Sequence, residues 1–442
     1  MSKNSLLRMI EKRQAGIHAG IPSFCCANKI VIEAVLEQSK RCDDVVLIEG
    51  TSNQVNQSGG YTGMTPMDFK EYTYKIADRL GFDREKIVLG GDHMGPLPWC
   101  DQPARYAMEN AKLLVQLCVK AGYKKIHLDT SMRLGDDPLD LPLRNEVIAE
   151  RGAILFKECE KAYQEMLKEN PSEIRPVYVI GSEVPTPGGS QEIEDSVTVT
   201  KPEDFENTLL AYKKEFKKCG IADLWENVIA IVVQPGVEFG EKGIHPYDRI
   251  EAVNLCRALK QYPDIVFEGH STDYQAPVKL REMVEDGIAI IKVGPALTYA
   301  LREGLFALSK MEKELIHEDS EQAHFEETLD EVMLENPKNW IRHYHGTVEE
   351  IRLDRKYSFS DRSRYYFVDT RVESAIEKLF RNMDKIKIPL GMLHQYMPRQ
   401  YARVRDGKLA MKSRELVKDC IVELVEDYNY AVKTNYMRNG VF

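Results

Sequence analysis

Acids and imidazoles recur in this 442-residue chain where short apolar runs end. KIVLGGDHMGP (86–96) brings Asp92 and His93 after an Ile-Val-Leu run and two glycines, KIHLD (125–129) carries His127 and Asp129, and DIVFEGH (264–270) delivers Glu268 and His270. Glu49 closes VVLIE (45–49), Glu183 closes PVYVIGSE (176–183), Gln234 closes NVIAIVVQ (227–234) and Lys292 closes GIAIIK (287–292). Imidazole nitrogens with carboxylate oxygens are the donor set of a divalent metal, Zn, Mn, Ni, Co or Fe among them. His93 and His270 are the first choice of nitrogen ligands and Glu183 of oxygen ligand, which frees Asp92 to act as a base beside the ion. Asp129 or Asp273 is the candidate second acid or base, both roles requiring proximity first; Asp129 also reads as a ligand or as a partner that orients one. Glu49, His127, Gln234, Glu268, Ser271 and Lys292 are the candidate substrate contacts. His127 reads equally as a core or supporting histidine. Lys292 has an alternative role as a Schiff-base nucleophile.

Positioning these groups together requires a fold that gathers strand ends. The apolar runs at 21–27, 45–49, 87–89, 125–129, 176–183, 227–234, 264–270 and 287–292 are short, β-branched and bounded by loop residues, so they predict buried strands. Helical patterns alternate with them, at 29–40, 103–121, 143–169 and 201–219. Such alternation, with strands apolar on both faces, predicts a parallel sheet covered by helices. Eight units ending near residue 310 predict a TIM-type (β/α)8 barrel, whose C-terminal mouth is the catalytic face. No GxGxxG supports a dinucleotide fold instead. The Gly-, Ser- and Asn-rich segment 50–64 is long for a strand-to-helix link and is expected to be functional. Thr65 and Pro66 then supply an N-cap and first residue for a helix. Beyond residue 310 strand signals fade and Glu/Lys-rich helical patterns take over, so the chain divides into a barrel (1–312) and a helical C-terminal extension (313–442) acting as lid or interface. The aromatic, basic stretch 357–366 of that extension reads first as an interface.

A net charge of −10 and 43% apolar residues suit a globular enzyme and argue against nucleic-acid binding. No apolar run is long enough for a membrane span, and the N-terminus lacks a signal peptide's apolar core, so a cytoplasmic protein is expected, its first residues forming an amphipathic helix. Nine cysteines without CxxC spacing read as reduced thiols. A homo-oligomer is expected from the aromatic tail.

The motifs IEGTSNQVNQSGGYTGMTP (48–66), LGGDHMGP (89–96), KKIHLDTSM (124–132), YVIGSEVPTPGG (178–189), VVQPGVEF (232–239), HSTDYQ (270–275), KVGPALTYALRE (292–303) and SDRSRYY (360–366) closely resemble the Z-subunit family of class II D-tagatose-1,6-bisphosphate aldolases, over nearly the whole chain. That resemblance implies a barrel with a divalent metal, acting on a ketohexose or ketohexose phosphate. It implies one of three activities: a metal-dependent 4-epimerase interconverting tagatose and fructose, a non-catalytic subunit stabilising a separate aldolase catalytic subunit, or a bisphosphate aldolase. True class II aldolases hold the metal with three histidines and place an Asp before the first. Asp92-His93 and the Glu268–Ser271 segment resemble two of those elements. The third histidine has no clear match in the motifs, which leaves Glu183 as its candidate replacement. The implied mechanism opens the C3–C4 bond of the ketose after a carboxylate takes the C4 hydroxyl proton; re-addition through the aldehyde's other face gives the epimer, and release gives aldolase products. Ser271-Thr272 and Gly294-Pro295-Ala296 lie where barrels bind phosphate, with no arginine beside them in sequence.

Overall fold

The computed structural model describes residues 3–138, 143–181 and 197–433. Its centre is a closed parallel barrel of eight strands: β1 Ile21–Cys25, β2 Val46–Thr51, β3 Ile87–Met94, β4 Lys125–Asp129, β5 Val177–Gly181, β6 Val228–Val233, β7 Val266–Gly269 and β8 Ile288–Val293, in the cyclic order β1-β8-β7-β6-β5-β4-β3-β2. The TIM-type barrel expected from the apolar runs is the fold observed. Strand ends agree with the expected runs to within two residues except at β3. That strand continues through both glycines and through Asp92 and His93, whereas the sequence suggests a stop at Leu89. Continuation needs glycine: a Cβ on Gly90 would collide with the Glu49 carboxylate lying across it. The β3–β4 register shifts between Gly91 and Met94, and His93 takes a left-handed φ of 49°. This bulge re-aims the side chains of Asp92 and His93.

The barrel's bottom is closed by its own N-terminus. Helix Ser5–Gln14, capped by Asn4, buries Leu6, Met9 and Ile10 against Leu47, Val88, Val177, Val179 and Ile290. Apolar layers below and polar strand ends above give the barrel a direction. Thr65 caps helix Pro66–Leu80 through a capping box with Asp68, and Pro66 stands at its first position, as the sequence predicts.

The extension is layered onto the barrel. Helix Pro295–Leu315 runs across the expected boundary at 312, and helix Ser413–Val432 packs against it and against helices Lys29–Arg41 and Pro277–Asp286. Lys418 reaches Glu37 at 2.7 Å, and the Tyr428 hydroxyl donates to the Thr272 carbonyl at 2.9 Å, so the last helix touches the barrel rim. The stretch around 358–363 is turned inward: Ser358, Ser360, Asp361, Arg362 and Ser363 are buried, and Phe359 stacks near Tyr274. That inward packing differs from the surface interface the composition suggests. Burial of an aromatic-basic loop becomes favourable because its polar groups find partners on the rim. Among the described residues no helix is long and apolar enough to cross a membrane, and all nine cysteines are free.

Candidate metal centre

Three imidazoles meet at the barrel's upper end. His93 on β3, His127 on β4 and His270 just beyond β7 have ring centroids 5.0, 4.9 and 5.2 Å apart, pairwise. With Asp92 they form a buried group in which one potential ligand atom from each lies within 4.8 Å of all the others. Parallel strands do this by alternation: Lys125, His127 and Asp129, spaced by two on β4, share the inward face.

Each ring is oriented by a further polar group. His93 Nδ1 lies 2.8 Å from Asp129, whose other oxygen accepts from the Ser131 amide and hydroxyl at 3.0 and 2.7 Å. His270 Nε2 lies 3.0 Å from Glu268. His127 Nδ1 sits 3.1 Å from an Asp92 carboxylate oxygen and 3.2 Å from the His93 amide nitrogen; the tautomer that donates Nδ1–H to Asp92 leaves the lone pair on Nε2. Carboxylates on the second nitrogen fix tautomer and direction in histidines that hold metals. The remaining nitrogens of His93 and His270 are thus available for a ligand. His127 Nε2 is more telling: the side chain is fully buried and this nitrogen has no hydrogen-bond partner. A buried polar atom left unsatisfied is costly, and a cation at this nitrogen removes the cost. The donor set therefore fits a divalent metal.

Electrostatics point the same way. Burial pushes His127 down to about 4 and His270 down to about 3, so both are neutral and able to donate lone pairs at pH 7. Burial alone would raise Asp129, but the hydrogen bond and charge of His93 hold it below the usual carboxylate range. Beneath the rings Lys125, wholly buried, bridges Glu49 at 2.8 Å and Glu268 at 2.7 Å. Burial opposes its charge and the two carboxylates prevail, lifting the ammonium above its ordinary value. Lys292 contacts Asp92 and lies 3.5 Å from Glu268; burial lowers it.

A cavity of about 320 Å³ opens above this floor, a size suited to a small ligand. Asp92, His93, His270, Ser271, Asp273 and Lys292 line it. Its walls also include Thr51 at the end of β2, Gln54 and Tyr61 from the long loop that follows, and Arg364, Tyr365 and Phe367 from the extension. Non-glycine residues with left-handed φ gather here, at His93, Ser271, Tyr274 and Asp361; such strain concentrates at functional sites.

The candidate residues therefore divide. Asp92, His93, His127 and His270 are brought together, with Asp129 and Glu268 behind them. Glu49 is not a cavity residue, because its carboxylate is committed to Lys125 and Ser23. Gln234 accepts the amides of Gly236 and Val237, both at 2.9 Å, and so shapes its own turn instead of facing a ligand. Asp273 lines the cavity and accepts the amides of Gly294 and Ala296 at 3.0 and 2.8 Å through one carboxylate oxygen, which ties it to the start of helix Pro295–Leu315, while burial pushes its carboxyl up to about 6. Glu183 lies outside the described residues; the third imidazole that the motifs leave unmatched is His127. Lys125 and Arg364 were missed. The i, i+2, i+4 spacing of KIHLD could have revealed the first, since its inward side chain must neutralise acids; the second lies in the basic, aromatic stretch 357–366, whose composition does not say which arginine faces the cavity.

The model of the family described as D-tagatose-1,6-bisphosphate aldolase subunit GatZ/KbaZ-like matches residues 6–433. The chain is similar to the crystal structure of a probable tagatose 6 phosphate kinase from Sinorhizobium meliloti 1021, with 42% identity and a TM-score of 0.84 over 93% of this chain and 100% of that one. More remote likenesses are to the YdjI aldolase of Escherichia coli K12 (12% identity, TM-score 0.40, 87% of this chain and 100% of that) and to a fructose-bisphosphate aldolase of Campylobacter jejuni (16%, 0.41, 88% and 96%). With the family model spanning nearly the whole chain, this protein belongs to the D-tagatose-1,6-bisphosphate aldolase subunit GatZ/KbaZ-like family.

Proposed function

We propose that the protein is itself a metal-dependent enzyme that opens and re-forms the C3–C4 bond of a ketohexose, free or phosphorylated, giving 4-epimerisation between tagatose and fructose. The observation that carries this reading is the unpartnered Nε2 of buried His127, set against His93 and His270 at the floor of a sugar-sized cavity. His93, His127 and His270 would hold the divalent cation, with Asp92 beside them. A cation there would supply Lewis acidity at the ketose carbonyl.

The chain's own residues then do the following. Asp92 takes the proton of the C4 hydroxyl, and that oxygen's electron pair becomes the aldehyde carbonyl as the C3–C4 bond breaks. The bonding pair passes to C3 and gives the enediolate of the other fragment. Lys292, in contact with Asp92 and on the cavity, presents an ammonium to the developing negative charge. Asp129 and Glu268 do not touch the sugar; they keep the rings of His93 and His270 in register. Tyr61, Tyr365 and Phe367 keep the aldehyde fragment within the cavity while it turns its other face to C3. On re-addition Asp92 returns its proton to the C4 oxygen. Retention of the fragment gives the epimer, and its escape would give aldolase products.

The family description contains the word subunit, which favours a second reading: a non-catalytic chain that stabilises a separate aldolase. Cation content and sugar conversion of the purified chain separate the two. Conversion that disappears with a chelator and returns with a divalent ion supports the enzyme. A chain that binds no cation and converts no sugar is the stabilising subunit.

A further inference from the structure

Arg364 is set into the cavity wall without an anion. Its guanidinium donates to the carbonyl oxygens of Ser360 and Asp361 and, at 3.0 Å, to the Tyr365 hydroxyl, and it stacks over the Tyr365 ring. Among the described residues no carboxylate lies within ion-pair distance of it. The obvious counter-ion, Asp361, is spoken for: its carboxylate accepts from Arg302 Nε at 2.8 Å, Thr298 at 2.5 Å and Ser363 at 2.8 Å. Glu373, the other acid of the extension on this cavity, makes no ion pair with Arg364. Neighbouring Arg362, 5% exposed, lacks a carboxylate too; its Nη1 donates to the Asn339 carbonyl at 3.1 Å. Leaving the half-enclosed Arg364 guanidinium without an ion pair on a cavity wall is unfavourable unless the ligand supplies the charge.

The loop is also rigidly presented. Asp361 takes a left-handed φ of 42°, Tyr274 donates its hydroxyl to the Phe359 carbonyl at 2.6 Å, and Tyr61 from the long loop after β2 meets Tyr365 edge-on at 4.8 Å. A pre-set guanidinium loses little entropy on binding. Meanwhile the place where barrels usually seat a phosphate, the start of the helix after β8, is filled. The Asp273 carboxylate holds the Gly294 and Ala296 amides there, and a phosphate would have to displace it against like charge.

We infer that Arg364 of the C-terminal extension is the specificity-determining residue of this cavity, pairing with a phosphate monoester carried by the ketohexose, in place of the helix terminus that Asp273 occupies. This inference rests on the reading of the cavity as a ketohexose site and makes the extension part of the substrate pocket. Phosphate and guanidinium match in planar, two-pronged geometry, and a charge-assisted pair of this kind changes affinity by roughly tenfold to a hundredfold.

The test is calorimetric titration of the full chain, wild type, Arg364→Gln and Arg364→Lys, with a free ketohexose, its monophosphates, a hexuronate and inorganic phosphate, with conversion followed in parallel. The wild type is expected to prefer a ketohexose monophosphate to the free sugar by at least tenfold. Arg364→Gln should erase that preference and the binding of inorganic phosphate, and Arg364→Lys should keep part of both. A melting curve matching the wild type establishes that the glutamine variant is folded, and partial recovery in the lysine variant gives the same assignment independently. An undiminished preference in Arg364→Gln, a wild type without preference, or a hexuronate that gains more from Arg364 than the phosphate ester overturns the inference. Arg364-dependent phosphate binding without conversion sustains it and removes the enzymatic reading; conversion indifferent to Arg364 and to phosphate does the reverse.

Discussion

On the floor of the cavity every charged group has a polar partner close by: Lys125 lies between Glu49 and Glu268, Lys292 meets Asp92, and Asp129 and Glu268 each hydrogen-bond an imidazole. On the wall supplied by the extension, Arg364 faces the same space with carbonyl oxygens and a phenol for company. The contrast separates two tasks. A compensated network costs little to keep buried and holds ligands at fixed angles, which suits chemistry on one bond. An uncompensated cation waits for charge from outside, which suits recognition. The floor comes from strand ends of one sheet, whereas the wall comes from residues about 70 positions beyond the last strand.

Altering the floor should have the larger consequences. Asp92→Asn removes the proton acceptor but no imidazole, so turnover should drop by roughly 10²–10⁴-fold with cation content unchanged; elemental analysis beside a sugar-conversion assay reads both. Wild-type turnover would remove Asp92 from the reaction. Lys125→Met keeps the volume and strands Glu49 and Glu268 in the barrel without a counter-charge. A loss of about 3–5 kcal/mol is expected from urea unfolding, and an unchanged midpoint would mean that the network is dispensable.

The wall should respond more gently. Arg364→Gln should raise KM for a phosphorylated ketohexose by roughly tenfold to a hundredfold with kcat little changed, the opposite split from Asp92→Asn. A fall in kcat alone would blur the two regions into one.

The floor also has a pH signature. His127 and His270 sit at about 4 and about 3 when folded, below the value of about 6.5 for a free imidazole. As pH falls through about 6.5 the unfolded chain takes up protons before the folded one does. Stability of the cation-free protein should therefore hold above that pH and decline as pH drops toward 4 and then 3. Urea midpoints against pH measure the slope, and His127→Gln with His270→Gln should flatten it. Smallest of all, and away from both regions, Thr65→Ala should cost about 1 kcal/mol by opening the capping box of helix Pro66–Leu80.

Much of the barrel was legible because β-branched runs and helical repeats are local signals, and strand-end acids and histidines follow from the same pattern. Alternation on KIHLD put His127 and Asp129 on one face; its extension one step back to Lys125 predicts a buried cation there. Ligand identity was less legible, since His127 differs from a core histidine only in having no partner for Nε2, a three-dimensional fact. Gln234 misled because a polar residue at a strand end caps a turn as readily as it meets a substrate. Glu49 misled for a related reason: an acid deep in a barrel needs a lysine, and that lysine came from another strand. Arg364 lies in the aromatic, basic stretch 357–366 that the sequence does single out, but which of its cations faces the cavity is set by the fold of the extension.

The central claim is that the imidazoles of His93, His127 and His270 hold one divalent cation on which sugar conversion depends. Chelated protein titrated with a divalent ion, with tagatose–fructose conversion followed at each addition, tests it most directly. Activity should rise from near zero and level off at one ion per chain. Full conversion by the chelated protein, or none at saturating ion, would contradict it.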